Sequence, residues 1–83
     1  MNNDQIFDRL KEIISKVTRV EKEKVNLTSS MRNDLLMDSL QAVQIVALIE
    51  EEFEISIDEV EIFNVDTVSE VVDLIKEYKG VRN

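Results

Sequence analysis

Apolar residues between positions 4 and 17 recur at helical spacing: Ile6, Phe7, Leu10, Ile13, Ile14 and Val17. At 100° per residue they fall within an arc of about 120°, with Asp8, Arg9, Lys11, Glu12, Ser15 and Lys16 opposite. This pattern predicts an amphipathic helix. From residue 18 to 37 the period is lost, and Val20, Val25, Leu27, Met31 and Leu35 stand scattered among polar residues. The expectation is a long loop pinned to the core at intervals. Loops of that length often carry function or a short helical turn.

Three later segments carry one kind of start signal, an Asp or Thr followed three residues on by Glu or Gln. They are Asp38 with Gln41, Asp58 with Glu61, and Thr67 with Glu70. Each resembles a capping box, in which the first side chain accepts from an orphan amide and the second reaches back. Asp38 opens a helix over 39–53 with Ala42, Val43, Val46, Ile49 and Phe53 toward the core and Ile45 at its edge. Asp58 opens a short helix ending near Asn64. Thr67 opens a helix over 67–79, with Val68, Val71, Val72, Leu74, Ile75 and Tyr78 on one side and Gly80 as its stop. "FEISI" (53–57) alternates like a strand but has no pairing partner, and reads as loop. With one glycine and no proline, hairpin turns are disfavoured. The predicted fold is all-α: a four-helix bundle of three long helices and one short one, with a long first loop, in a single domain spanning 1–83 and ordered over about 3–79.

Composition removes most catalytic chemistry. The chain has neither cysteine nor histidine. Disulfides and thiolate metal sites are excluded, and the usual general base near neutral pH is missing. "MNNDQIFDRLKEI" lacks the basic start and apolar run of a signal peptide, and no apolar run approaches the roughly 18 residues that span a bilayer. A soluble cytoplasmic protein, expected to be a monomer and not inserted in membranes, follows. Net charge is −8, and its distribution is uneven: Asn33 to Ile75 holds twelve Asp or Glu and no Lys or Arg. Two readings are open, a solvated surface or an acidic face that steers basic partners. Nucleic acid is a poor partner for either, because its phosphates are repelled. The run "EEEFE" lacks the Asp-x-Asp-x-Asp-Gly spacing of a calcium loop, so no metal site is expected.

Candidate chemistry narrows to Ser39. With Asp38 as N-cap, Ser39 is the first helical residue, its hydroxyl turned to solvent at the positive end of the helix dipole. Backbone amides there favour an attached phosphate. With no base at hand and no Gly-x-Ser-x-Gly elbow, Ser39 is not a self-sufficient nucleophile. Leu40 and Leu48 fall on the polar side, beside Gln44, Glu51 and Glu52. Either the long loop covers them, or they form an exposed apolar patch bordered by acids that would serve for docking.

"DLLMDSL" (34–40), followed by a helix ending in "EEEFEI" (50–55) and then "VDTVSEVVDLI" (65–75), resembles the acyl carrier proteins. These are the phosphopantetheine-carrying four-helix proteins of fatty acid, polyketide and related synthesis. The resemblance covers about residues 3–79; Asp-Ser-Leu alone is a weak signal, and its combination with this length, charge and layout is specific. The resemblance implies a non-catalytic carrier. Ser39 would be esterified with 4′-phosphopantetheine from coenzyme A by a phosphopantetheinyl transferase, which brings the magnesium. Acyl groups would ride on the arm's thiol as thioesters, and acyl-transfer and synthase enzymes with basic docking patches would do the chemistry. It further implies that Asp38 caps the helix and helps dock the transferase. Leu40 would be a partner contact, with Gln44, Leu48, Glu51 and Glu52, and Glu50 beside them, extending the recognition face, and Glu59 or Glu61 adding to it. Departures from the family pattern are Leu36 where glycine is common, Gln41 and Gln44 at acidic positions, and the apolar Val60, Ile62 and Phe63. They leave open a specialised carrier, for instance of the aminoacyl or D-alanyl type. A small helical adaptor with no prosthetic group is the alternative from another class.

Overall fold

The computed structural model describes residues 3–80. Its helices are α1 (Asn3–Thr18), α2 (Ser39–Phe53), α3 (Glu59–Asn64) and α4 (Val68–Lys79), with a 3₁₀ turn at Lys22–Lys24 in the first loop. Three helices are long and one short, as the periodicity predicts, and the described residues hold no strand beyond one isolated bridge between Ser30 and Thr67. Helix α1 packs against both α2 and α4, while α3 lies against α2.

The core is the sum of the apolar stripes. Ile6, Leu10 and Ile14 of α1 meet Ile45, Ile49 and Phe53 of α2 and Val68, Val71 and Ile75 of α4, all fully buried. Phe7, Val17 and Tyr78 sit at its margin, only partly covered. The Lys11 ammonium lies over the Phe7 ring, 4.5 Å from its centre, in a cation–π contact at the margin of the core.

In α2 the core arc is rotated from the expected one. Ile45 is fully buried and belongs to the core, whereas Val43 is 45% exposed. Contacts with α1 on one side draw the buried arc toward Ile45, leaving Val43 beyond its other edge. Leu27 is also exposed, against expectation, while Val25, Met31 and Leu35 are the loop residues that enter the core.

The first loop is held mainly by backbone pairing with the start of α4. The Met31 amide donates to the Asp66 carbonyl at 2.8 Å, Val68 to Ser29 at 3.0 Å and Ser69 to Leu27 at 2.8 Å. Two amides that α4 itself cannot satisfy are thereby paired. The next, of Glu70, donates to Thr67 Oγ1 at 3.2 Å, and the Glu70 carboxylate accepts from the Thr67 and Asp66 amides at 2.9 and 3.0 Å.

These amide bonds hold the Glu70 carboxyl below its ordinary pKa, the Thr67 amide contributing most and the Asp66 amide next. A depressed folded-state pKa gives stability that is present above the unfolded value and lost as pH falls through the folded one. Glu70→Gln is therefore expected to flatten the decline of melting temperature below about pH 5, measured by circular dichroism. An unchanged acid limb would show that other carboxylates set the decline.

The box predicted at Asp58 does not close. Asp58 caps α3 through the Val60 amide at 3.0 Å, but Glu61 does not reach back; its carboxylate accepts from the Tyr78 hydroxyl. Tyr78 in turn accepts from the Asp58 amide at 3.3 Å, so one α4 side chain secures the start of α3. Gly80 ends α4 at φ 69°.

Leu36 adopts φ 53° and is 77% exposed. This left-handed turn lets Leu35 point inward and Met37 pack against the core on either side of it. The left-handed conformation costs a non-glycine residue on the order of 1–2 kcal/mol. Glycine removes that strain but has more freedom to lose on folding. Leu36→Gly is thus expected to change urea stability by less than about 1 kcal/mol, although it deletes a whole leucine side chain. Leu35→Ala next to it should cost about 2–5 kcal/mol. A large loss from Leu36→Gly would show that the side chain has a packing role.

Candidate functional site

Ser39 opens α2 with a complete capping box before it. The Gln41 amide donates to Asp38 Oδ1 at 2.8 Å, and the Asp38 amide donates to Gln41 Oε1 at 3.2 Å. This reciprocal pair fixes the backbone on both sides of Ser39, and Gln41 Nε2 extends it to the Val17 carbonyl at 3.4 Å. Gln41, where the family often has an acid, is therefore engaged in local structure. The Ser39 side chain is exposed and makes no hydrogen bond among the described residues.

Beside Ser39 lies an open cavity of about 430 Å³ between the first loop, α2 and α3. Met31, Met37, Ala42, Ile62 and Val65 give it apolar walls, with Arg32 and Asp38 at polar positions. A hydroxyl unencumbered by partners, on a rigid helix start and facing an open apolar cleft, fits a covalently attached flexible group. The described residues contain no cluster of metal-ligating side chains and no helix long and apolar enough to cross a membrane.

The sequence of residues 8–75 matches the family model described as "Phosphopantetheine attachment site". The acyl carrier protein of Petrotoga mobilis is 35% identical over 77 residues, covering 93% of this chain and 91% of its own length. That of Borrelia garinii is 36% identical over 80 residues, covering 96% and 100%. That of Coprothermobacter proteolyticus is 33% identical over 76 residues, covering 92% and 93%. The chain belongs to the acyl carrier protein family.

Within this acyl carrier protein fold the residues expected on a recognition face separate into two groups. Leu40 is 68% exposed, on the outward side of α2 with Gln44 and Glu51. Leu48 is not its neighbour: it is half-buried, packed on the core and set against Lys16, Val17 and Arg19 at the end of α1. The loop leaves Leu40 uncovered, and only its first residue, Arg19, lies beside Leu48. Glu52 pairs with Arg9 of α1, Glu50 accepts from the Ile57 amide at 2.8 Å, and Glu61 is held by Tyr78. Their carboxylates are committed to the fold. Glu51 and Glu59 are exposed and without hydrogen bonds or ion pairs among the described residues.

The helical projection turns Val43 toward the core, whereas Val60 and Phe63 stand out in the sequence only as apolar departures from the family pattern. Val43 lies one turn along α2 from Ser39, and Val60 and Phe63 stand 64% and 43% exposed on α3, the latter on the cavity rim. Ile62, between them, is buried. The cavity's one basic residue is Arg32, whose isolation at the head of the acidic stretch is the one sign of it in the sequence.

Proposed function

We propose that the chain carries acyl groups as thioesters on a 4′-phosphopantetheine arm esterified to Ser39, and delivers them to partner enzymes. The observation that carries this reading is the free, exposed Ser39 hydroxyl on a doubly capped helix start. When bound, the arm supplies the thiol that the polypeptide lacks. Ser39 Oγ forms the bond to phosphorus as the pyrophosphate bond of coenzyme A breaks and adenosine 3′,5′-bisphosphate leaves, and its proton passes to a base of the transferase, since no base is hydrogen-bonded to Ser39 among the described residues. Asp38 keeps the helix start in place and presents it to that enzyme. The chain acts as a non-catalytic carrier, in the cytoplasm and as a monomer, with the whole of 1–83 forming one carrier domain. The test is to incubate the apo protein with coenzyme A and a broad-specificity phosphopantetheinyl transferase, then measure intact mass and locate the modified peptide. Addition at Ser39 is expected, and no addition would sink the proposal in favour of a plain helical adaptor.

The recognition face on this reading centres on Leu40, Val43, Gln44 and Glu51, with Glu59 across on α3. Leu48, Glu52 and Glu61 contribute charge and shape around it while holding the helices together. Glu51→Lys is expected to leave folding within about 0.5 kcal/mol of the parent. It should slow association with a basic transferase or synthase at low salt, and the slowing should shrink as salt screens the pair. Equal rates at low salt would reduce the acidic face to a solubility device. The apolar Val60 and Phe63 support a second, narrower reading. A partner for this α3 must offer an apolar patch, which favours a dedicated pathway over a general fatty acid synthase.

A further inference from the structure

Arg32 is the one Lys or Arg between Lys24 and Lys76. It lines the same cavity as Ser39. Its Nη2 donates to the Phe63 carbonyl at 2.8 Å, near the end of α3, which stations the guanidinium across the cleft from α2. No carboxylate lies within ion-pair distance of it among the described residues. Asp66 is occupied by the Ser30 hydroxyl at 2.9 and 2.8 Å and meets only the Arg32 backbone amide, at 3.5 Å. Tying the loop to α3 needs one donor, and a guanidinium has five. What remains is an unneutralised, forked cation facing the cavity in the acidic half of the molecule.

We propose that Arg32 is a positioning residue for the prosthetic arm, pairing with the phosphodiester on Ser39 and holding the first part of the arm over the α2–α3 cleft. The proposal rests on the assignment of Ser39 as the attachment point. The phosphodiester carries one negative charge on two free oxygens, the geometry that a guanidinium fork matches better than an ammonium. Because phosphorus is bonded directly to Ser39 Oγ, the anion is fixed at the cavity mouth, so even a solvent-exposed pair forms without an association step. Exposure makes the pair sensitive to salt.

Wild type, Arg32→Gln, Arg32→Lys and the control Lys24→Gln would be loaded from coenzyme A by a phosphopantetheinyl transferase, with loading checked by intact mass. The phosphorus NMR resonance of Arg32→Gln is expected to differ from that of wild type and to match wild type in about 1 M salt, where the Debye length is near 3 Å. Arg32→Lys should recover part of the difference, and Lys24→Gln should show none. In unmutated protein, the Arg32 Nε–Hε cross-peak should move and exchange more slowly with solvent on going from apo to loaded form. That measurement decides the matter even if Arg32→Gln folds poorly. An Arg32 cross-peak indifferent to loading, or identical phosphorus shifts in loaded wild type and folded Arg32→Gln, would overturn the pairing while leaving Ser39 as the attachment point. Wild type that takes no arm would overturn both.

Discussion

Ser39→Ala is expected to abolish loading from coenzyme A entirely while leaving the fold untouched. The hydroxyl makes no hydrogen bond among the described residues, so its removal orphans no partner. Alanine is the better helix former, and an exposed substitution of this kind shifts stability by no more than about 0.5 kcal/mol. Intact mass should show no addition under conditions that convert the parent completely, and the circular dichroism melts should superimpose. The neighbouring Asp38→Ala makes the informative contrast. It removes the carboxylate that accepts from the Gln41 amide while keeping the residue-38 amide that donates to Gln41 Oε1, at a cost of about 1 kcal/mol, so it should lower the melting temperature and slow loading without preventing it. If Ser39→Ala were loaded as readily as the parent, the attachment point would lie elsewhere and the carrier reading of this serine would fail.

These expectations lean on features that differ in how visible they were in the sequence. The capping boxes at Asp38 and Thr67 involve groups three residues apart, so local spacing alone predicted their geometry. The stripes of α1 and α4 were likewise legible, because burial there follows the 3.6-residue period. Contacts between distant residues were not. Glu61 carries the same signature as Glu70, yet a tyrosine 17 positions away captures it. Glu52 is drawn to Arg9, 43 positions away. A helical wheel gives the width of an apolar arc but not its centre, which neighbouring helices decide. That is why Ile45 and Val43 exchanged places, and why Leu48, half-buried beside the end of α1, was grouped with Leu40. Leu36 is a further case. Leucine carries no preference for a left-handed turn, so the turn was invisible at this residue, and the glycine common in the family was the one hint of it.

Phe53→Ala is expected to have the largest effect on stability. Phe53 is the last residue of α2, 1% exposed and among the largest fully buried side chains. It fills the core where α2 ends, and truncation there removes most of an aromatic ring from surroundings that collapse only partly around the gap. Such truncations cost about 3–5 kcal/mol, whereas whole domains are stable by about 5–15 kcal/mol. A chain of 83 residues has a small core, which places it toward the lower end. The backbone around Phe53 adds little reserve. Glu54 ends the helix at φ 55°, and the Phe53 carbonyl accepts from Lys79 Nζ at 3.2 Å, a contact with α4 that depends on the helix end staying in place. The variant should therefore be partly or wholly unfolded at 37 °C, with loss of helical circular dichroism and a lowered urea midpoint. Leu40→Ala removes a comparable apolar side chain from a position 68% exposed, and it should melt with the parent. The two variants separate what the apolar residues of α2 do: Phe53 acts within the fold, and a loading or transfer defect in folded Leu40→Ala would belong to recognition. A Phe53→Ala protein that stayed folded with a near-parental midpoint would mean that the core closes over the gap, and would contradict the packing described above.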